Sequence, residues 1–121
     1  MAAKVGWDGD IAMSSALIAL LLALRLIGLQ AAASEMSVQA GVDPALAACI
    51  IQAESRWYPN TLGALGEIGL MQILPSTGEW ALSKLGMPAD TDLWQPANNL
   101  RVGLWILARF PSWFSTLYLC E

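Results

Sequence analysis

The stretch Ala53-Glu54-Ser55-Arg56-Trp57-Tyr58-Pro59 and its continuation Gly66-Glu67-Ile68-Gly69-Leu70-Met71-Gln72-Ile73-Leu74-Pro75-Ser76-Thr77 govern how the chain is read. One helix ends there and a glycine-bracketed loop follows. Upstream, Val42-Asp43-Pro44 opens that helix, with Asp43 as the expected N-cap and Pro44 at the first helical position. Between Pro44 and Ser55, the residues Ala47, Ile50, Ile51 and Glu54 fall on one face by the i, i+3, i+4, i+7 rule. A carboxyl therefore emerges from an aliphatic stripe where the backbone turns away and a cleft can open. Ser55, Arg56 and Pro59-Asn60 break the helix, and Gly63, Gly66 and Gly69 punctuate the loop.

Working outward, Pro75 to Leu85 reads as a helix ended by Gly86 and Pro88. Ala97 to Arg109 is another, with Leu100, Leu104 and Leu107 at helical spacing, and a further helix is expected after Pro111. Before Gly41, a short helix is expected from Ala32 to Ala40 with Met36 and Val38 as its apolar residues. Ala and Leu dominate, Val and Thr are scarce, and no alternating run exceeds a few residues, so the fold class is all-α.

The chain of 121 residues is 56% hydrophobic, with a mean hydropathy of +0.52. That is high for a soluble globule and points to an apolar segment outside the core. The segment is 11–29, apolar on every side and near the ~20 residues that cross a bilayer. Arg25 near its far end is placed to snorkel to the interface. Residues 1–10 are small and polar with Lys4 the single base, and an Ala-x-Ala pattern at 31–33 suits a leader cleavage site. The expected division is a signal peptide or membrane anchor over 1–33 and one domain over 34–121. A buried helix of a soluble domain is the competing reading of the apolar segment.

Histidine is absent, which excludes Ser-His triads, Cys-His nucleophiles and His-based metal sites. No metal or other cofactor is expected. A formal net charge of -4 with six Lys plus Arg argues against nucleic acid as a partner. Cys49 and Cys120 lack zinc-like spacing. The burial habit of free cysteine favours two buried thiols, and a disulfide is open to the chain only if it is exported.

Breaking a glycosidic bond requires a proton for a poorly basic oxygen, and the donor must hold that proton near neutral pH. Burial against apolar groups raises a carboxyl's pKa, and the stripe around Glu54 offers that environment. A solvated glutamate near a helix end is the plainer reading of the same residue. Two-carboxylate hydrolysis needs a second acid. Asp43 is a cap, Asp90 and Asp92 are loop acids, and Glu67, in the glycine loop, is more simply a solvated residue than a partner.

Three ordered blocks then stand together: Glu54-Ser55 with Trp57 and Pro59; Gly66-x-x-Gly69-Leu70-Met71-Gln72 with Pro75-x-Thr77; and Asp92-Leu93, Pro96, Asn99-Leu100, Gly103 and Leu107. Over roughly Met36 to Glu121, this order resembles the soluble-lytic-transglycosylase domain, an all-helical, lysozyme-like domain that cuts bacterial peptidoglycan. The resemblance implies peptidoglycan glycan strands as the partner and Glu54 as the single catalytic acid. Glu54 would protonate the bond between N-acetylmuramic acid and N-acetylglucosamine, then take the proton of the muramyl 6-hydroxyl as a 1,6-anhydro ring closes. It further implies that Ser55 hydrogen-bonds near the carboxyl or substrate, that Gly69 lets loop backbone approach the glycan, and that Met71 and Gln72 line saccharide subsites. Trp57, beside Glu54, is the tryptophan with a positional case for touching sugar. Met71 also suits plain core packing, and the remaining tryptophans read as core.

In that family, a Tyr-Asn-x-Gly stretch follows, and its tyrosine reaches the catalytic glutamate. Here the run Phe114-Ser115-Thr116-Leu117-Tyr118-Leu119-Cys120-Glu121 leads up to where that stretch would begin, and Tyr118 is out of register with it. The expectation is a domain incomplete at its C-terminus. Two readings compete with the transglycosylase: a lysozyme-type hydrolase using Glu67, and a non-catalytic peptidoglycan-binding module. The context implied is export to the periplasm or cell envelope, with membrane contact through residues 11–29, or a phage virion or lysis protein.

Overall fold

The computed structural model describes residues 13–121; the readings placed on residues 1–12 lie outside them. Four α-helices account for the regular structure: α1 (Ser15–Ala40), α2 (Pro44–Ser55), α3 (Pro75–Leu85) and α4 (Pro96–Arg109). Among the described residues the only β pairing is two isolated antiparallel bridges, Leu62 with Ile68 and Ile68 with Ile73, which stitch the loop between α2 and α3.

α4 is the axis of the core. It has no side-chain cap at its N-terminus, yet it buries Leu100, Val102, Leu104, Ile106 and Leu107. Full burial of one such side chain is worth about 2 kcal/mol, against about 1 kcal/mol for a missing cap. Packing, not end chemistry, holds this helix. Its apolar faces meet α1 and α3, while Ile50 and Ile51 of α2 and Leu70 and Met71 of the loop complete the core.

α2 begins as its sequence requires: the Asp43 carboxylate accepts from the Ala45 amide at 3.0 Å and Pro44 takes the first turn. α1 differs from expectation. A short helix from Ala32 was expected beside a separate apolar segment, but Ser15–Ala40 is one continuous helix of 26 residues. No proline interrupts it, and its Ala- and Leu-rich run lets helix propensity carry through Gly28. Its two halves live in different surroundings. From Leu17 to Ile27 the large side chains are exposed, whereas Ala33 and Ser37 are buried. These two small residues, four apart on one face, let α1 lie close against α2 and α4.

Beyond α4 the expected further helix is replaced by two 3-10 turns, Pro111–Trp113 and Leu117–Leu119. Phe110 leaves helical geometry at φ -133°, ψ 60°, and i→i+3 bonds such as Trp113 to Phe110 (2.9 Å) and Cys120 to Leu117 (2.9 Å) keep the path tight. The two buried thiols expected at Cys49 and Cys120 are instead a disulfide, which fastens this segment to α2. Both cysteines lie at the partly exposed face where the segment crosses the helix, so neither is sealed in the core as a free thiol would be.

Candidate active site

Glu54 sits on the last turn of α2, and that turn is locked directly beyond it. The Ser55 hydroxyl donates to the Ile51 carbonyl and accepts from the Trp57 amide, both at 3.2 Å. Ser55 is therefore buried, and its hydroxyl is engaged with backbone on both sides of the helix end that it shapes. The Glu54 carboxylate opens into a cleft of about 290 Å³ whose walls include Glu67, Gln72, Thr77, Trp113 and Phe114.

Three influences act on that carboxyl. Burial is the largest and raises its pKa above the ordinary 4.5. The Thr116 hydroxyl donates to Glu54 Oε2 at 3.1 Å and pulls it back down, and the negative charge of Glu67 pushes it up again. The net direction is up. A carboxyl so placed keeps its proton to higher pH than a solvated one, as a general acid requires.

The opposite wall is the glycine loop. Gln72 occupies a left-handed conformation (φ 51°), and its amide Nε2 donates to the Thr61 and Gly69 carbonyls, each at 2.9 Å. Both donors are thus spent on the loop, and only the amide oxygen remains for a ligand. Glu67 is likewise engaged, accepting from the Leu65 amide at 2.7 Å.

Behind the loop lies Asn99, wholly buried on α4. Its oxygen accepts from the Met71 amide at 2.8 Å, and its nitrogen donates to the Ile68 (3.0 Å) and Leu93 (2.9 Å) carbonyls. One side chain thereby pins the loop that faces Glu54 to the central helix. Gly69 is needed for this contact: its φ is +78°, and a Cβ there would run into the Asn99 amide. The close approach that Gly69 permits within the chain is to Asn99.

Two further expectations change. Met71 has no exposed surface; it fills the core against Gly103, where a Cβ would collide with the Met71 side chain. Trp57 is also buried and borders a separate groove beside α1. The exposed aromatic ring at the cleft is Trp113, 53% exposed and stacked on Phe110 at 4.5 Å with 17° between planes. Phe110 in turn packs on Trp80, so the platform is braced from behind. The sequence held no signal for Trp113, because its position depends on the 3-10 path after α4. Thr116 was hidden for the same reason. It supplies a hydroxyl to the glutamate from a position with no family motif.

A family model for the transglycosylase SLT domain matches residues 31–120. The chain belongs to the transglycosylase SLT domain family. Among curated proteins, this SLT chain is 38% identical over 74 residues to the membrane-bound lytic murein transglycosylase C of Mannheimia succiniciproducens (55% of this chain, 21% of that protein). It is 39% identical over 74 residues to the protein of the same name from Haemophilus influenzae, with the same coverage. The transglycosylase of Enterobacteria phage PRD1 is 35% identical over 71 residues (59% of this chain, 24% of that protein). The SLT chain thus spans about a fifth to a quarter of the length of these relatives.

Proposed function

We propose that this SLT domain is a peptidoglycan lytic transglycosylase in which Glu54 is the single acid and base. The observation that carries the reading is the state of Glu54: half-buried at the mouth of a cleft, with its pKa raised by burial and its carboxylate oriented by the Thr116 hydroxyl. In the first step, the Glu54 proton passes to the glycosidic oxygen between N-acetylmuramic acid and N-acetylglucosamine as that bond breaks. In the second, the carboxylate takes the proton of the muramyl 6-hydroxyl while its oxygen closes on C1, leaving a 1,6-anhydro end and the acid restored. The Trp113 face is suited to stack on a pyranose ring, and the Gln72 oxygen to accept from a sugar hydroxyl or acetamido N–H.

The names of the relatives support this activity, and membrane-bound relatives agree with the apolar helix α1 as an anchor. The division into an anchor over 1–33 and a domain over 34–121 belongs to the same proposal, with α1 running unbroken through that boundary. A periplasmic setting follows from the anchor and the disulfide together, since such bonds persist in oxidising compartments. The phage relative makes a virion or lysis role the second setting.

A second reading rests on one observation: Glu67 borders the same cleft, which is where a hydrolase would hold a water-directing carboxylate. Its bond to the Leu65 amide favours a structural role. Mass spectrometry of muropeptides released from purified peptidoglycan separates the readings. Anhydro-muramyl ends that vanish with Glu54→Gln support the transglycosylase. Reducing ends overturn it in favour of hydrolysis, and binding without products overturns it in favour of a non-catalytic module.

A further inference from the structure

A groove of about 600 Å³ lies between the exposed half of α1 and the turn that follows α2. One wall is aliphatic, from Leu22, Leu26 and Leu29; the other is the turn carrying Arg56, Trp57 and Tyr58. Arg25 and Arg56, two of the chain's six basic residues, both border it, and among the described residues no carboxylate does. The turn is costly: Arg56 (φ 52°) and Trp57 (φ 67°) are consecutive non-glycine residues in the left-handed region, where each costs about 1 kcal/mol or more. That conformation is what sets Arg56, Trp57 and Tyr58 against α1.

The groove sits where the apolar helix meets the domain. If 11–29 crosses the bilayer, Arg25 lies four residues inside its domain-proximal end, about 6 Å along the axis. That is within reach of a snorkelling guanidinium. Tyr58, 69% exposed, borders the same groove, and amphipathic rings of its kind gather at membrane interfaces.

We propose that this groove binds an anionic phospholipid, with the headgroup phosphate held between Arg25 and Arg56 and an acyl chain laid along Leu22 and Leu26. The inference rests on the reading of α1 as a membrane anchor. Guanidinium forks match phosphate oxygens in pairs, and basic residues at a bilayer surface favour anionic over zwitterionic lipid. The site also accounts for an arginine inside an otherwise apolar segment. Its consequence is to seat the domain on the bilayer through a second contact besides the helix itself.

The test uses the full chain purified in detergent. Flotation with phosphatidylcholine vesicles is measured first; a chain that stays at the bottom of the gradient overturns both the anchor and this site. Native mass spectrometry is then titrated with phosphatidylglycerol against phosphatidylcholine of the same chains. The expected result is one phosphatidylglycerol retained, with a preference on the order of tenfold. In Arg25→Gln/Arg56→Gln the preference is lost. In Arg101→Gln/Arg109→Gln, which removes the same charge elsewhere on the exposed surface, it stays. Equal retention of the two lipids, or equal loss in both double variants, overturns the site and leaves the anchor standing.

Discussion

Glu54 is set by neighbours that pull in opposite directions, so its titration can be steered one atom at a time. Thr116→Val removes the hydrogen bond that lowers the pKa, and Glu67→Gln removes the charge that raises it. The acid limb of a general acid fails once its proton is lost, so the alkaline edge of the pH–rate profile moves up in the first variant and down in the second. Shifts in the same direction would mean that these contacts do not govern the acid. Glu54→Gln lowers turnover by about a thousandfold, the size of a lost general acid. The same substitution carries a stability sign. A carboxyl whose folded pKa lies above 4.5 keeps its proton while the unfolded chain releases it, so stability falls as pH rises from 4.5 through the raised value. Glu54→Gln therefore raises the melting temperature at pH 7 relative to the parent, and less at pH 4, as differential scanning calorimetry would show. How much of this site was legible follows from what each residue depends on. Glu54 was readable because an aliphatic helical stripe ending in a carboxyl is a local pattern. Gln72 was readable as a cleft residue, although its donors turned out to serve the loop. Met71, Ser55 and Trp57 carry the same motif signal yet face inward, since a motif records what a site needs and not which atoms touch the ligand.

At the scale of elements, the site is two walls tied to a central helix by different means. The loop wall hangs on Asn99, which satisfies three buried backbone groups at once. Asn99→Leu leaves the Met71 amide and the Leu93 carbonyl without partners, at about 1 kcal/mol or more each, while the Ile68 carbonyl keeps the Ile73 amide. The expected loss is about 2 kcal/mol in a denaturant titration, with the midpoint lowered; a change within about 0.5 kcal/mol, roughly the noise of a surface substitution, would show that the loop is held by other contacts. The C-terminal wall hangs on the disulfide from Cys49, five residues before Glu54, to Cys120, four after Thr116. Closing a loop with a sequence separation of 71 contributes about 4 kcal/mol by the chain-entropy account. Cys49→Ser/Cys120→Ser therefore lowers stability by several kcal/mol, and frees the segment that brings Thr116 and Trp113 to the cleft. Dithiothreitol reproduces the effect in the parent and does nothing to the double variant. Helix starts and stops were legible from Asp43-Pro44, Gly41 and Gly86 because capping is local chemistry. The 3-10 path after Phe110 was not, because a long-range covalent bond and the packing of Trp113 on Phe110 decide it.

Taken as a whole, the molecule is a small domain with half of one helix left outside its core. Leu17, Ile18, Leu20, Leu21, Leu22, Leu24, Leu26 and Ile27 are all exposed on α1, while the same helix contributes Ala33 and Ser37 to the interior. An aqueous surface does not hold that much contiguous aliphatic area without a partner, and the segment is long and apolar enough to cross a membrane. The helix is unbroken from its exposed apolar half to the half that packs on α2 and α4, so on the proposed anchor reading bilayer and cleft would share one rigid element. Two outcomes follow from that geometry. Leu20→Lys/Leu24→Lys places two charges in the apolar half, at about 3 kcal/mol each for insertion, and abolishes flotation with phosphatidylcholine vesicles. Its melting temperature in detergent is unchanged, because neither side chain touches the core. A flexible Gly-Ser-Gly-Ser insertion after Gln30 keeps flotation and keeps activity on soluble glycan fragments. On the proposed reading it changes only where sacculi presented on a membrane are cut, since the height of Glu54 above the bilayer would no longer be fixed by α1. Identical cleavage patterns from the parent and the insertion variant, compared by the lengths of the glycan products, would show that the continuous helix anchors the domain without positioning it.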